Sequence, residues 1–151
     1  MRFQQAVENT QDLSGAYRPG LQAMQSRDHS RISCCDSHVV TGSVNLDYAL
    51  ATMLPDDPRW DYGVGVTART RSETAIWIEV HPASSHHVGE VLGKLGWLKN
   101  WLRTRAPELD AMPREFVWVA SGQVAFQANS PQRRRLATQG LRFAGSHLCL
   151  S

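Results

Sequence analysis

The chain has 151 residues, 42% apolar and 20% charged, enough to bury a core without disulfides and too balanced for a disordered tail or a fibrous repeat. A formal net charge of +2 removes any global electrostatic case for nucleic acid and leaves the run Arg133, Arg134, Arg135 as the local source of phosphate contacts. No apolar run approaches the roughly 20 residues of a membrane span and the N-terminus lacks a signal-peptide core, so a soluble, cytoplasmic protein without a membrane partner is expected.

Residues 1–30 hold short helical patterns broken by Gly15, Pro19 and Gly20, which reads as a loosely specified helical N-terminal arm ahead of an α/β core over 31–151. Cys34, Cys35 and Cys149 are odd in number and two are adjacent, so buried thiols in a reducing compartment are expected rather than a disulfide framework. Cys34, Cys35 and His38 lack the spacing that would complete a zinc site. A short strand over 32–40 precedes Thr41-Gly42-Ser43, read as a turn and cap for a helix over 44–54. Leu46, Leu50, Met53 and Leu54 recur there at helical spacing, and Pro55 stops it.

Two strands follow. In 61–68, Tyr62, Val64 and Val66 alternate with Asp61, Gly63, Gly65 and Thr67; in 74–81, Ile76, Ile78 and Val80 alternate with Ala75, Trp77, Glu79 and His81. The polar residues 69–73 join them as a hairpin. Ser84 and Ser85 then cap a long helix over 86–105, striped by Val88, Val91, Leu92, Leu95, Leu98 and Leu102. Gly89, Gly93 and Gly96 weaken that helix and admit close approach of another element. The apolar run 115–120 reads as a buried strand, and strand, helix and strand in this order form a crossover that makes the sheet mixed. Ser130-Pro131 opens a last helix that stops at Gly140, and 147–150 closes a sheet edge.

A hairpin turning near Arg71 sets Asp61 opposite His81 and Gly63 opposite Glu79, so that Asp61, Glu79 and His81 share a face. Paired carboxylates at that separation suit a hard divalent cation with oxygen ligands, Mg²⁺ or Mn²⁺. Gly63 and Gly65 fall on the same face, either leaving room for a substrate or accommodating a bulge or the Trp77 ring.

The order helix, strand with Asp, strand with Glu-x-basic, helix, strand over residues 44–120 resembles the core of the PD-(D/E)XK nuclease superfamily, the restriction-endonuclease-like fold. The resemblance implies a single α/β domain with a mixed sheet flanked by helices, and a metal-dependent hydrolase of phosphodiester bonds in nucleic acid. Asp61 and Glu79 match the two acidic metal ligands, while His81 stands where the family usually has Lys. A neutral imidazole does not supply that positive charge unless a carboxylate raises its pKa. Lys94 on the following helix is the candidate to replace it, and Asp47 on the preceding helix the candidate third carboxylate.

The alternative is a non-catalytic interaction module on a degenerate nuclease-like fold, binding a protein partner or a second copy of itself. In the plainer reading of individual residues, Glu90 and Lys94 are an i,i+4 surface pair and Trp97 and Trp101 pack under a loop or at a subunit contact. His86 and His87 are then neutral at a helix start, and the arginine run is a solvated face.

Overall fold

The computed structural model describes residues 2–34, 36, 39–67, 72–126 and 130–151. Its centre is a six-stranded sheet in the order β1 (Arg18–Pro19), β3 (Val40–Asn45), β4 (Tyr62–Thr67), β5 (Glu73–Ala83), β6 (Arg114–Val124) and β7 (Leu141–Phe143). The first four of these strands pair antiparallel, and β5, β6 and β7 run parallel, so the sheet is mixed. Helices are α1 (Phe3–Glu8), α2 (Leu46–Leu50), α3 (Val88–Arg105), α4 (Pro107–Asp110) and α5 (Pro131–Thr138).

Period-2 alternation produces two cores. Val44, Ala75, Trp77, Phe116 and Trp118 face the helices and pack with Phe3, Leu46, Val91, Leu95, Leu98, Leu109 and Leu136. Tyr62, Val64, Val66, Ile76, Ile78, Val117 and Val119 face the other way. The buried apolar residues of the helices all lie in the first core, so the helices flank one face of the mixed sheet. The second face is covered by a two-stranded parallel sheet of β2 (Ile32–Cys34) and β8 (Leu148–Leu150), through Ile32, Leu148 and Leu150. β8 therefore does not close the main sheet; β7 does.

Three further differences have physical causes. The hairpin pairs Tyr62 with Ile78 and Gly63 with Trp77, two residues from the expected register, and a slip of two keeps every side chain on its face. Residues 68–71 of its turn lie outside the described residues. Thr41-Gly42-Ser43 is strand rather than turn: a Cβ on Gly42 would come within 2.2 Å of Tyr17 Oη, and Ser43 Oγ accepts from the Ala23 N–H at 3.1 Å. The helix accordingly starts only at Leu46, capped by Asn45, whose side chain accepts from the Tyr48 N–H at 3.0 Å.

The segment read as an arm packs into the main core through Phe3, Ala6, Val7 and Leu13. Alternating short polar stretches hid those contacts, because they are long-range. Cys149 is disulfide-bonded while Cys34 carries a free thiol, which corrects the reading of all the cysteines as thiols. Cys35 and His38 lie outside the described residues. Among the described residues, no helix is long and apolar enough to cross a membrane.

Candidate functional site

The strand–helix–strand unit sets the site. β5 and β6 are parallel, and α3 connects them across the helical face of the sheet. Open sheets of this kind gather ligands outside the carboxyl ends of their parallel strands, where the topology switches. Glu79 and His81 lie in that end of β5, and antiparallel β4 begins beside them, immediately after Asp61.

Asp61 is held on three sides. Its carbonyl accepts from the Leu46 N–H at 2.8 Å, its own N–H donates to Glu79 Oε1 at 3.2 Å, and its Oδ2 accepts from the Val80 N–H at 2.9 Å. Glu79 is fully buried on the helix-facing side of the sheet. Its Oε2 receives the ammonium of Lys94, from the second turn of α3, and lies 3.4 Å from His81 Nδ1. Asp61, Glu79, His81 and Lys94 therefore form one cluster.

The charges explain the ionisation. Burial, then the neighbouring Glu79 carboxylate, push the Asp61 carboxyl up to about 7, against the pull of Lys94 and the Val80 N–H. The hydrogen bond to Glu79 raises the His81 pKa above its ordinary value, and burial opposes it. The imidazole is thus biased toward its positively charged form.

Lys94 does not pair with Glu90 across one helical turn, as a surface reading expects. It turns inward to Glu79, and Glu90 Oε2 instead lies 3.3 Å from His81 Nε2. Asp47 pairs with Arg59 at 3.1 Å and contributes to the field at Asp61 without joining the cluster. Gly63 and Gly65 leave no substrate space. A Cβ on Gly63 would meet Trp77 Cζ3 at 2.5 Å and one on Gly65 would meet Phe3 Cβ at 2.5 Å, so buried rings fill both gaps.

Sequence reasoning missed His87 and Glu90 as partners of the site. Among the described residues, His81, His87 and Glu90 are a group whose donor atoms all lie within 4.8 Å of one another, and neither Asp61 nor Glu79 belongs to it. The signal was the i,i+3 spacing of His87 and Glu90 at the start of the helix that follows the His81 strand.

The two tryptophans of α3 are structural. Trp97 and Trp101 stack with centroids 6.2 Å apart, and their indole N–H groups donate to Asp57 Oδ2 at 2.9 Å and Asp12 Oδ2 at 3.2 Å. Those bonds fasten two connecting segments to α3. Arg133 lies over the Phe143 ring at 4.9 Å, while Arg134 and Arg135 are exposed. A cavity of about 670 Å³, lined by residues including Arg2, Tyr17, Glu73 and Met112, lies elsewhere. None of the four clustered residues lines it, so the chemistry and not the cavity locates the site. No protein-family model matches the chain, and neither the curated proteins nor the solved structures contain a significant match.

Proposed function

We propose that the chain is a divalent-metal-dependent nuclease of restriction-endonuclease-like architecture, hydrolysing phosphodiester bonds in nucleic acid at Asp61, Glu79 and Lys94. The observation that carries this reading is the Lys94 ammonium on Glu79, beside Asp61. It supplies from the helix the fixed positive charge that the Glu-x-His sequence of β5 lacks.

The residues suit a hard cation. Asp61 and Glu79 offer carboxylate oxygens, and with Glu90 they outnumber the cationic groups around them. Burial, and then the Glu79 carboxylate, lift the Asp61 carboxyl to about 7, and a divalent ion on the pair would favour its charged form. Mg²⁺ or Mn²⁺ held by Asp61 and Glu79 would supply Lewis-acid neutralisation of the scissile phosphate and a more acidic bound water.

The protein groups do the rest. Lys94 stabilises negative charge developing on the phosphoryl oxygens. His81, raised toward its protonated form by Glu79, adds positive charge on the outer side of the cluster. In the net reaction a water oxygen bonds to phosphorus and one phosphorus–oxygen ester bond breaks. One water proton goes to the departing oxygen and the other to solvent. The exposed Arg134 and Arg135 on α5 are candidate phosphate contacts for a nucleic-acid substrate.

One observation favours a second reading. Glu79 is fully buried and already neutralised by Lys94 and His81, as in a structural ion cluster, which fits a non-catalytic interaction module binding a protein partner or a second copy.

Cleavage assays on single- and double-stranded DNA and RNA, with Mg²⁺ and with Mn²⁺, separate the two. The nuclease reading expects metal-dependent cleavage that Asp61→Asn and Glu79→Gln each reduce by about a thousandfold or more. The double variant should be no worse than either, because the pair acts as a unit. Mn²⁺ should also raise the melting midpoint of the wild type. Absence of cleavage together with an unmoved midpoint leaves the interaction module.

A further inference from the structure

We propose that His81, His87 and Glu90 form a binding site for a borderline divalent transition metal of the zinc class, distinct from the Asp61 and Glu79 pair. The inference stands without the nuclease reading, since it uses a different donor set and a different class of metal; His81 binds the ion as the neutral imidazole, and the positive charge there is then the metal's.

Geometry is the first argument. The donor atoms of the three residues lie within 4.8 Å of one another, and His81 Nε2 is 3.3 Å from Glu90 Oε2. Zinc bonds of about 2.0–2.1 Å in a tetrahedral arrangement place neighbouring donor atoms about 3.4 Å apart. His81 and Glu90 thus already stand at the separation of two ligands of one ion. Glu90 is exposed and His87 half-buried, so both side chains have freedom to close the remaining gap.

An unmet polar atom is the second argument. His81 Nε2 is buried and makes no hydrogen bond, despite its nearness to Glu90. A buried polar nitrogen left without a partner is costly and uncommon, and a bound metal satisfies it.

The third argument comes from the opposite side of each ring. A ligating histidine is usually held at its other nitrogen by a carboxylate, a carbonyl or another polar group, which fixes the tautomer and aims the free nitrogen at the metal. His81 Nδ1 lies 3.4 Å from Glu79 Oε2, and His87 Nδ1 is hydrogen-bonded to Ser84 Oγ at 2.7 Å. Both rings are therefore oriented from behind, with Nε2 left to the ligand. The ring centroids are 5.2 Å apart in an edge-on arrangement, which brings the imidazoles together without stacking them.

The donor set names the metal class. Two imidazole nitrogens and one carboxylate oxygen favour Zn²⁺ and its neighbours over Mg²⁺ and Ca²⁺, which take oxygen ligands. Three protein ligands leave a fourth position for water or substrate. Because Glu79 backs His81, metal at this site would also fix the carboxylate that faces Asp61.

The test titrates chelator-stripped full-length protein with Co²⁺ as a spectroscopic stand-in for Zn²⁺. The expected result is about one equivalent bound with the intense visible bands of four- or five-coordinate Co²⁺, bleached by Zn²⁺ and unaffected by excess Mg²⁺. His87→Ala and Glu90→Gln should each weaken binding by more than about tenfold, and Ser84→Ala by about tenfold through the lost orientation of His87. His87→Ala and Glu90→Gln change side chains outside the main core, so a circular-dichroism melt should report intact folds. Asp61→Asn should keep the Co²⁺ spectrum, which separates this site from the proposed nuclease metal. Only the weak absorption of six-coordinate Co²⁺, no binding, or affinity unchanged in both His87→Ala and Glu90→Gln would overturn the proposal.

Discussion

Two carboxylates bracket helix α3, Asp12 buried and Asp61 part-buried, and their surroundings push them in opposite directions. At the C-terminal end, Asp12 accepts from Arg105 Nε at 2.9 Å, from Arg105 Nη2 at 2.6 Å and from Trp101 Nε1 at 3.2 Å. The hydrogen bonds from Arg105 hold its pKa below the ordinary carboxylate value despite burial. At the N-terminal end, Asp61 faces Glu79 as well as Lys94 and is lifted to about 7. Asp12 accepts from three donors, whereas Asp61 Oδ2 accepts from the Val80 N–H and stands beside a second carboxylate. The first arrangement stabilises the fold; the second opposes it, a pattern common at functional sites.

The largest effect expected from that contrast is at Asp61. Its folded pKa lies above its unfolded value, so the native state holds the proton more tightly and the wild type loses stability as pH rises from about 4 to about 7. Asp61→Asn removes the cost. Melts of the variant should match the wild type below about pH 4 and exceed it at pH 8, with a ceiling of about 4 kcal/mol. A variant less stable than the wild type at pH 8 would place Asp61 with Asp12 as a structural carboxylate.

Leu95 lies between the two ends, fully within the apolar stripe of α3 that serves both. Leu95→Ala should cost about 3 kcal/mol in denaturant melts through the cavity it leaves. A loss below about 0.5 kcal/mol would detach the helix from the sheet and remove the common frame.

The sequence made the framework of this contrast legible and concealed its partners. Strands β4 and β5 and the stripe of α3 follow from periods of two and 3.6, and the shared face of Asp61, Glu79 and His81 survives a register shift of two residues. The Ser130 cap of α5 was equally readable, with its side chain accepting from the Arg133 N–H at 3.3 Å. What periodicity cannot carry is the direction of a long side chain. Lys94 and Glu90 sit one turn apart and read as a pair, yet one reaches inward to Glu79 and the other toward His81. Asp12 was invisible for the same reason, since its partner Arg105 is on a distant element. Strand β3 was lost to the helix that follows because Gly42 signals a turn in isolation, whereas it serves the Tyr17 ring.

A smaller effect is expected at Asp12. Asp12→Ala strips the buried Trp101 N–H of its acceptor and should cost about 2 kcal/mol at neutral pH. Because the folded pKa of Asp12 lies below its unfolded value, its stabilisation is present above about pH 4 and fades as pH falls through the folded value. The difference between variant and wild type should therefore shrink in acid, opposite in sign to the Asp61 profile. Parallel pH profiles for the two variants would erase the contrast.

The smallest effect concerns the helix between them. All three glycines of α3, Gly89, Gly93 and Gly96, fall in the half that carries Glu90 and Lys94, while Trp97, Trp101 and Arg105 occupy the other half. The expected close approach of another element is absent: each is exposed, and an added Cβ would meet nothing within 4 Å. No packing requirement then opposes alanine, which restricts the unfolded chain and favours the helix. Gly93→Ala and Gly96→Ala should each raise stability by about 0.5–1 kcal/mol, with additive gains only insofar as the sites act independently. A loss of stability from either would show that something packs against that face. A gain of stability joined to slower metal-dependent cleavage would instead tie the looseness of this half of α3 to the placement of Lys94, and so extend the difference between the ends of the helix from charge to backbone.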